Sequence, residues 1–206
     1  MEKAMSWQQE IDFQCSFGLW PFRRSLEISP KGFLWCGELF PLKTITRLRW
    51  GIEQKRGGLL PKRICTATFG TNDREFTVRT KQKDFYGHLT DRYWKAVGRR
   101  LLTEMVDGLR AGKRYNFSDY AAVEDSGLYK IDKKLVGGAA EKFYPWEALE
   151  WGVVNGNLCF APKEEPENLL VGLSFLWVDN VHMLNVALAP LLSAEKRTKI
   201  SSLALE

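Results

Sequence analysis

Histidine is scarce in this chain of 206 residues: His88 and His182 are the only two. Neither is spaced with a second ligand or base, so the sequence carries no metal-ligand constellation and no local nucleophile motif. The four cysteines, Cys15, Cys36, Cys65 and Cys159, stand far apart. Without a C-x-x-C pair, zinc-site and thioredoxin-like readings fail, and single thiols fit a reducing compartment. Cys36 and Cys65 sit in apolar, strand-like runs and read as buried thiols. Phosphate loops are missing as well. Gly57-Gly58 belongs neither to a Gly-x-Gly-x-x-Gly nor to a Gly-x-x-x-x-Gly-Lys-Ser/Thr pattern. The expectation is a protein that is not an enzyme and holds no cofactor or metal.

Long apolar runs are also few. The first ten residues lack the apolar stretch of a secretory signal. The most apolar segment, Leu169 to Leu192, is interrupted by Asp179, Asn180, His182 and Asn185, which would be costly in hydrocarbon. It reads as a strand followed by a helix, and the chain as a cytoplasmic protein.

What is present is apolar bulk and positive charge. Apolar residues make up 45% of the chain, with eight Trp and twelve Phe, which is ample for packed cores in one large domain or two small ones. The net charge of +5 hides an asymmetry. Residues 1–118 hold 22 Lys and Arg against 12 Asp and Glu, whereas residues 119–206 hold 8 against 13. A basic half and an acidic half can attract one another or face different partners.

A short pattern occurs twice. Ile28-Ser29-Pro30-Lys31-Gly32-Phe33-Leu34 is followed by Phe40-Pro41-Leu42-Lys43-Thr44-Ile45 and then Trp50-Gly51. Val123-Glu124-Asp125-Ser126-Gly127-Leu128-Tyr129 is followed by Tyr144-Pro145-Trp146-Glu147-Ala148-Leu149 and then Trp151-Gly152. Each copy reads as strand, Gly turn, strand, aromatic-Pro-apolar-charged-small-apolar, Trp-Gly. Gly to Pro spans nine positions in the first copy and eighteen in the second. The repeat implies two copies of one β-rich unit.

Around it the elements fall into order. Residues 1–22 form an aromatic-rich lead-in, a short helix plus an extended segment. In the first unit, 23–114, strands are expected at Ser25–Ile28, Phe33–Leu39 and Ile45–Ile52, with a hairpin of Arg63–Phe69 and Glu75–Thr80 around Gly70-Thr71-Asn72-Asp73. A long helix over 84–110 follows, with Asp84 as N-cap and Gly112 past its end. Leu89, Tyr93, Val97, Leu101 and Met105 form its apolar stripe. The second unit, 115–192, repeats the opening hairpin at Ala121–Val123 and Leu128–Ile131. It continues with strands at Phe143–Trp151, Leu158–Ala161 and Leu169–Trp177, a turn at Asn155-Gly156 and a helix over 181–192. Trp35, Trp50, Trp151 and Trp177 fall in strand-like runs and read as core. Residues 193–206 read as a flexible tail.

This order, with the Pro-apolar-charged-small-apolar signature after each opening hairpin, resembles the pleckstrin-homology-like (PH-like) superfamily over residues 23–192. It looks most like the bacterial branch. The resemblance implies a mainly β fold of two antiparallel β-barrels, each capped by a C-terminal α-helix. It implies sites for binding rather than catalysis, and a groove between a sheet edge and the helix where a peptide can add as a strand. In relatives that bind phosphoinositides, basic side chains on the opening strands and loops collect phosphates.

Two sets of residues are candidates. Lys55, Arg56, Lys62 and Arg63 bracket one loop, and Arg79 and Lys81 lie on the following hairpin and its exit. Together they form a candidate anion or lipid site, which would attach the protein peripherally to the inner face of the membrane. The plain alternative is a solvated sheet edge kept from pairing by its charges. Trp7 and Trp20 are candidate protein contacts, because aromatic anchors dominate interfaces. The leading expectation is a partner protein or self-association, and the second is an anionic membrane surface. Nucleic acid ranks last, since the second half is acidic and Tyr93, in the basic run 92–95, belongs to the inward stripe of its helix.

Overall fold

A computed structural model describes residues 11–17, 23–55, 62–133, 138–193 and 199–200. Over these residues the chain is mainly β, with fourteen strands in four antiparallel sheets. It divides into two compact units, 1–101 and 102–206.

The first unit opens with β1 (Phe13–Phe17), β2 (Arg24–Ser29), β3 (Gly32–Trp35) and β4 (Glu38–Phe40), paired in that order as one sheet. A second sheet holds β5 (Arg47–Lys55), β6 (Lys62–Gly70) and β7 (Glu75–Thr80). The expected single strand over 33–39 is divided by a tight turn at Cys36-Gly37, where φ is 49° and 89°. The turn exposes Cys36, which is therefore not the buried thiol its apolar neighbours suggested. Cys65, on β6, is buried as expected.

The core of this unit is aromatic. The Phe69 ring stacks on Phe76 with centroids 5.0 Å apart and meets Phe33 edge-on at 4.7 Å. Tyr93 closes the cluster against Phe33 at 5.3 Å. Tyr93 arrives on the helix that follows β7, which runs as α1 (Lys83–Tyr93), a π-helical turn (Trp94–Gly98) and α2 (Arg99–Arg110), with the unit division after Leu101. All five stripe residues, Leu89, Tyr93, Val97, Leu101 and Met105, are buried. Gln82 rather than Asp84 is the N-cap, and Asp84 stands in the first turn, where a carboxylate suits the helix dipole. The π turn has a local cause. A Cβ at Gly98 would lie 2.6 Å from Cε3 of Trp94, so the indole covers the glycine, and the Arg99 N–H reaches back five residues to the Trp94 carbonyl.

In the second unit β8 (Tyr115–Ser118), β9 (Ala121–Glu124), β10 (Gly127–Lys133) and β11 (Ala139–Pro145) form one sheet in the order β11-β10-β9-β8. β12 (Leu149–Val154), β13 (Asn157–Pro162) and β14 (Val171–Ser174) form the other, and α3 (Val181–Ser193) follows. Asn155 and Gly156, with φ of 49° and 75°, make the expected two-residue turn between β12 and β13. The expected strand 169–177 is shorter, because the N–H groups of Trp177 and Val178 both turn back to the Ser174 carbonyl. Trp177 is thereby carried out of the core and is 68% exposed. α3 runs through Pro190 rather than ending there. Its Val181, Met183, Leu184, Ala187, Leu188 and Leu191 are buried.

Neither unit's strands close into a barrel among the described residues, contrary to expectation. The interruption falls at the same place in both. Phe40-Pro41 leads into a 3-10 turn at Leu42–Thr44, and Tyr144-Pro145 into one at Trp146–Ala148. Proline has no N–H with which to continue a ladder, so one sheet stops there and the next begins a few residues later. The two copies of the sequence repeat are thus one structural device. A Cβ on Gly32 would run into the carbonyl oxygen of Phe40, and a Cβ on Gly127 into that of Tyr144. Ser29 pairs with Gly32 across β2–β3, and Glu124 pairs with Gly127 across β9–β10. The nine extra positions of the second copy lie in the longer β10–β11 hairpin and leave the device unchanged.

Candidate functional site

The ladder through β5, β6 and β7 sorts the basic candidates. Lys55 pairs with Lys62, and Arg79 with Thr66. Side chains alternate along a strand, so Lys62 and Arg79 share the face that carries Arg49, while Arg63 belongs to the opposite face with Cys65. Lys62, Arg63, Arg79 and Lys81 are all exposed, and Lys81 sits in the bend after β7. The sequence grouped these side chains, but the pleat divides them. Arg56, Trp7 and Trp20 lie outside the described residues, as does most of the loop that joins β5 to β6. Two further arginines on β5 serve the β6–β7 hairpin. Arg49 pairs with Glu75 at 2.5 Å, and Arg47 donates from Nε to the Thr71 carbonyl at 2.7 Å and from Nη2 to the Arg74 carbonyl at 3.0 Å.

The second unit presents a different surface. β12 is the outer strand of its sheet among the described residues. Its sequence, Leu-Glu-Trp-Gly-Val-Val, contains one charge, and Val153 and Val154 are 57% and 54% exposed. The equivalent strand of the first unit also carries Trp-Gly, but it continues Ile52-Glu53-Gln54-Lys55 and is preceded by Arg47 and Arg49. Charges of that kind keep a sheet edge from pairing with another chain, and β12 carries only Glu150. Beside it lies a hollow of about 370 Å³ lined by Trp151, Val154, Phe160, Pro166 and Leu169 among others. Leu169 is 63% exposed. Trp151 is held by an edge-on contact with the buried Trp146, centroids 5.9 Å apart, and Trp146 donates from Nε1 to the Asp125 carbonyl at 2.9 Å. A large apolar floor with an exposed strand at its rim suits an extended apolar segment better than a small charged ligand.

His88 is exposed on α1, and His182 packs its ring on Phe175 with centroids 4.4 Å apart. No group of three or more His, Cys, Asp or Glu side chains could hold a metal ion among the described residues. No helix among them is long and apolar enough to cross a membrane. Arg114 forks onto Glu141 at 2.8 and 2.7 Å and holds its carboxyl below the usual range, and Arg74 does the same to Glu38 through its side-chain hydrogen bonds.

No family model, curated protein or solved structure matches this chain.

The β12 surface was not among the sequence candidates. Its signal was present as the contrast between two copies of one motif, since Trp-Gly is followed by Ile-Glu-Gln-Lys in one copy and by Val-Val in the other. The exposure of Trp177 had no comparable signal, because an apolar run ending in Trp is also what a core strand looks like.

Proposed function

We propose that this protein is a non-catalytic interaction module whose second unit takes an extended apolar segment of another polypeptide along β12 as an added strand. The observation that carries the reading is the edge of β12, unpaired among the described residues, with Val153 and Val154 both exposed where the equivalent positions of the first unit are Ile52 and Glu53. Main-chain hydrogen bonds would supply affinity, and the hollow at Trp151 and Leu169 would take an alternate side chain of the added strand. The order of seven strands and a helix, occurring twice and split four and three in each unit, supports reading both units as PH-like. In that fold a groove at a sheet edge is a natural place for such a strand.

Every copy of the chain presents the same edge, so self-association is the first case to measure. Sedimentation velocity across a concentration series, for the wild type and Val153→Lys, reads it directly. A panel of immobilised peptides with alternating apolar residues reads the heterologous case. The expected result is association or peptide binding by the wild type that is lost in Val153→Lys, with the circular dichroism spectrum unchanged. A wild type that stays monomeric and binds no peptide, or a variant that binds as the wild type does, would overturn the reading.

A second reading rests on the face of the first unit that carries Lys62 and Arg79. Each basic residue near an anionic leaflet is worth about 1 kcal/mol, so the face would hold the protein on acidic lipid weakly and in a salt-sensitive manner. Flotation with anionic vesicles at low salt, and its loss in Lys62→Glu/Arg79→Glu, tests this reading independently of β12.

A further inference from the structure

Trp177, the most exposed large apolar side chain among the described residues of the second unit, stands at a hollow distinct from the one beside β12. This hollow has a volume of about 630 Å³, and its lining includes Phe117, Tyr120 and Trp177 together with Asp119, Asp132 and Lys133. Tyr120 is also exposed, at 46%. Three aromatic side chains and the carboxylate of Asp119 make a wall suited to a cation. Aromatic faces draw cations through their quadrupole, most strongly for Trp, and a carboxylate adds a direct partner.

The hollow already shows the chemistry it favours. Lys133 places its own ammonium on Asp119 with Nζ to Oδ2 at 2.5 Å, and this contact holds the Asp119 carboxyl below its ordinary range. Asp132 alternates with Lys133 along β10, and its carboxylate pairs with Lys130, which lies outside the lining of the hollow, at 3.2 Å. All four of these charged groups are solvent-accessible, so exchange of one ammonium for another costs little desolvation. The net charge of residues 119–206, with 8 basic against 13 acidic side chains, favours a cationic visitor over an anionic one at long range.

We infer that the hollow bounded by Phe117, Tyr120, Trp177 and Asp119 is a binding site for a lysine side chain of a partner protein. The aliphatic arm lies along the aromatic walls, and the ammonium displaces that of Lys133 from Asp119. The site is separate from β12 and does not depend on strand addition there.

The test is a titration of the full chain followed through its tryptophan indole N–H resonances, with that of Trp177 assigned by Trp177→Phe. Three probes are used: N-acetyl-lysine amide, its uncharged analogue N-acetyl-norleucine amide, and choline. The expected result is a saturable shift of the Trp177 resonance with the lysine probe, roughly tenfold weaker with norleucine and weakened similarly by Asp119→Asn. Val153→Lys should leave it unchanged. Equal response to norleucine would make the hollow merely apolar and overturn the assignment. Tighter binding of choline would assign a headgroup rather than a lysine and overturn it as well. Absence of any shift at Trp177 in the tens-of-millimolar range, where one weak cation–aromatic contact still registers, would remove the site altogether.

Discussion

The guanidinium of Arg100 donates from Nη2 to the carbonyl oxygen of Ile45 at 2.5 Å and to that of Leu42 at 3.1 Å. These carbonyls bracket the 3-10 turn at which the first sheet of the unit stops and the second begins. The helix residue therefore ties down, across more than fifty positions of sequence, the turn that the first Pro motif creates. Arg100 is half-buried, so the bonds are shielded from water. Arg100→Met should destabilise the first unit by about 2 kcal/mol, since hydrogen bonds to charged groups are worth about 1.5–3 kcal/mol. Arg100→Lys should recover only part of this, because an ammonium lacks the planar fork. Denaturant unfolding of the three proteins measures the order.

Gly32 and Gly127 should respond alike to alanine although their hairpins differ in length. Each lies against a carbonyl oxygen, that of Phe40 or Tyr144, where a Cβ does not fit. The obstacle is backbone, which cannot swing aside as a side chain can. Gly32→Ala and Gly127→Ala should each cost about 2 kcal/mol or more, read as shifts in chemical denaturation midpoint. A tolerated Gly127→Ala would show that the repeat is a likeness of sequence without a shared constraint.

The cysteines should alkylate in a definite order. Cys36 is exposed in its turn, whereas Cys65 is buried in β6. Burial pushes the Cys15 thiol up to about 11 and raises that of Cys65 as well, so both have less thiolate at mildly alkaline pH. With iodoacetamide at about pH 8, mass spectrometry of timed samples should find Cys36 modified well before Cys15 and Cys65. In denaturant the differences should vanish.

Acid should weaken the fold through its paired carboxylates. Arg74 lowers Glu38, Lys133 lowers Asp119 and Arg114 lowers Glu141, each chiefly by side-chain hydrogen bonding. A carboxyl lowered by folding contributes stability above its unfolded value, and that stability is lost as pH falls through the folded value. Thermal midpoints should be level above about pH 5 and decline below about pH 4. Arg114→Gln should flatten part of that decline.

Several elements could be read directly from the chain because their causes are local. Asn155-Gly156 makes its turn by tolerating positive φ at both positions. The stripe from Leu89 to Met105 is buried because helical spacing alone puts those side chains on one face. The Pro motif marks the same 3-10 turn in both units because the proline lies directly before it, Pro41 before Leu42–Thr44 and Pro145 before Trp146–Ala148. The sequence by itself therefore determined two β-rich units and the order of their elements.

Only the tertiary structure decided which surfaces those elements present. Lys62 and Arg63 are neighbours in sequence, yet the pleat turns them to opposite faces, so a run of basic residues is not one basic patch. Trp177 is apolar like its neighbours, yet the return of two N–H groups to the Ser174 carbonyl carries it into solvent. Whether β12 is covered or bare depends on which strand packs beside it, a relation between residues far apart in the chain. Periodicity records the side of an element on which a residue lies. Exposure depends on what the rest of the fold places against that side, and no local pattern carries that information.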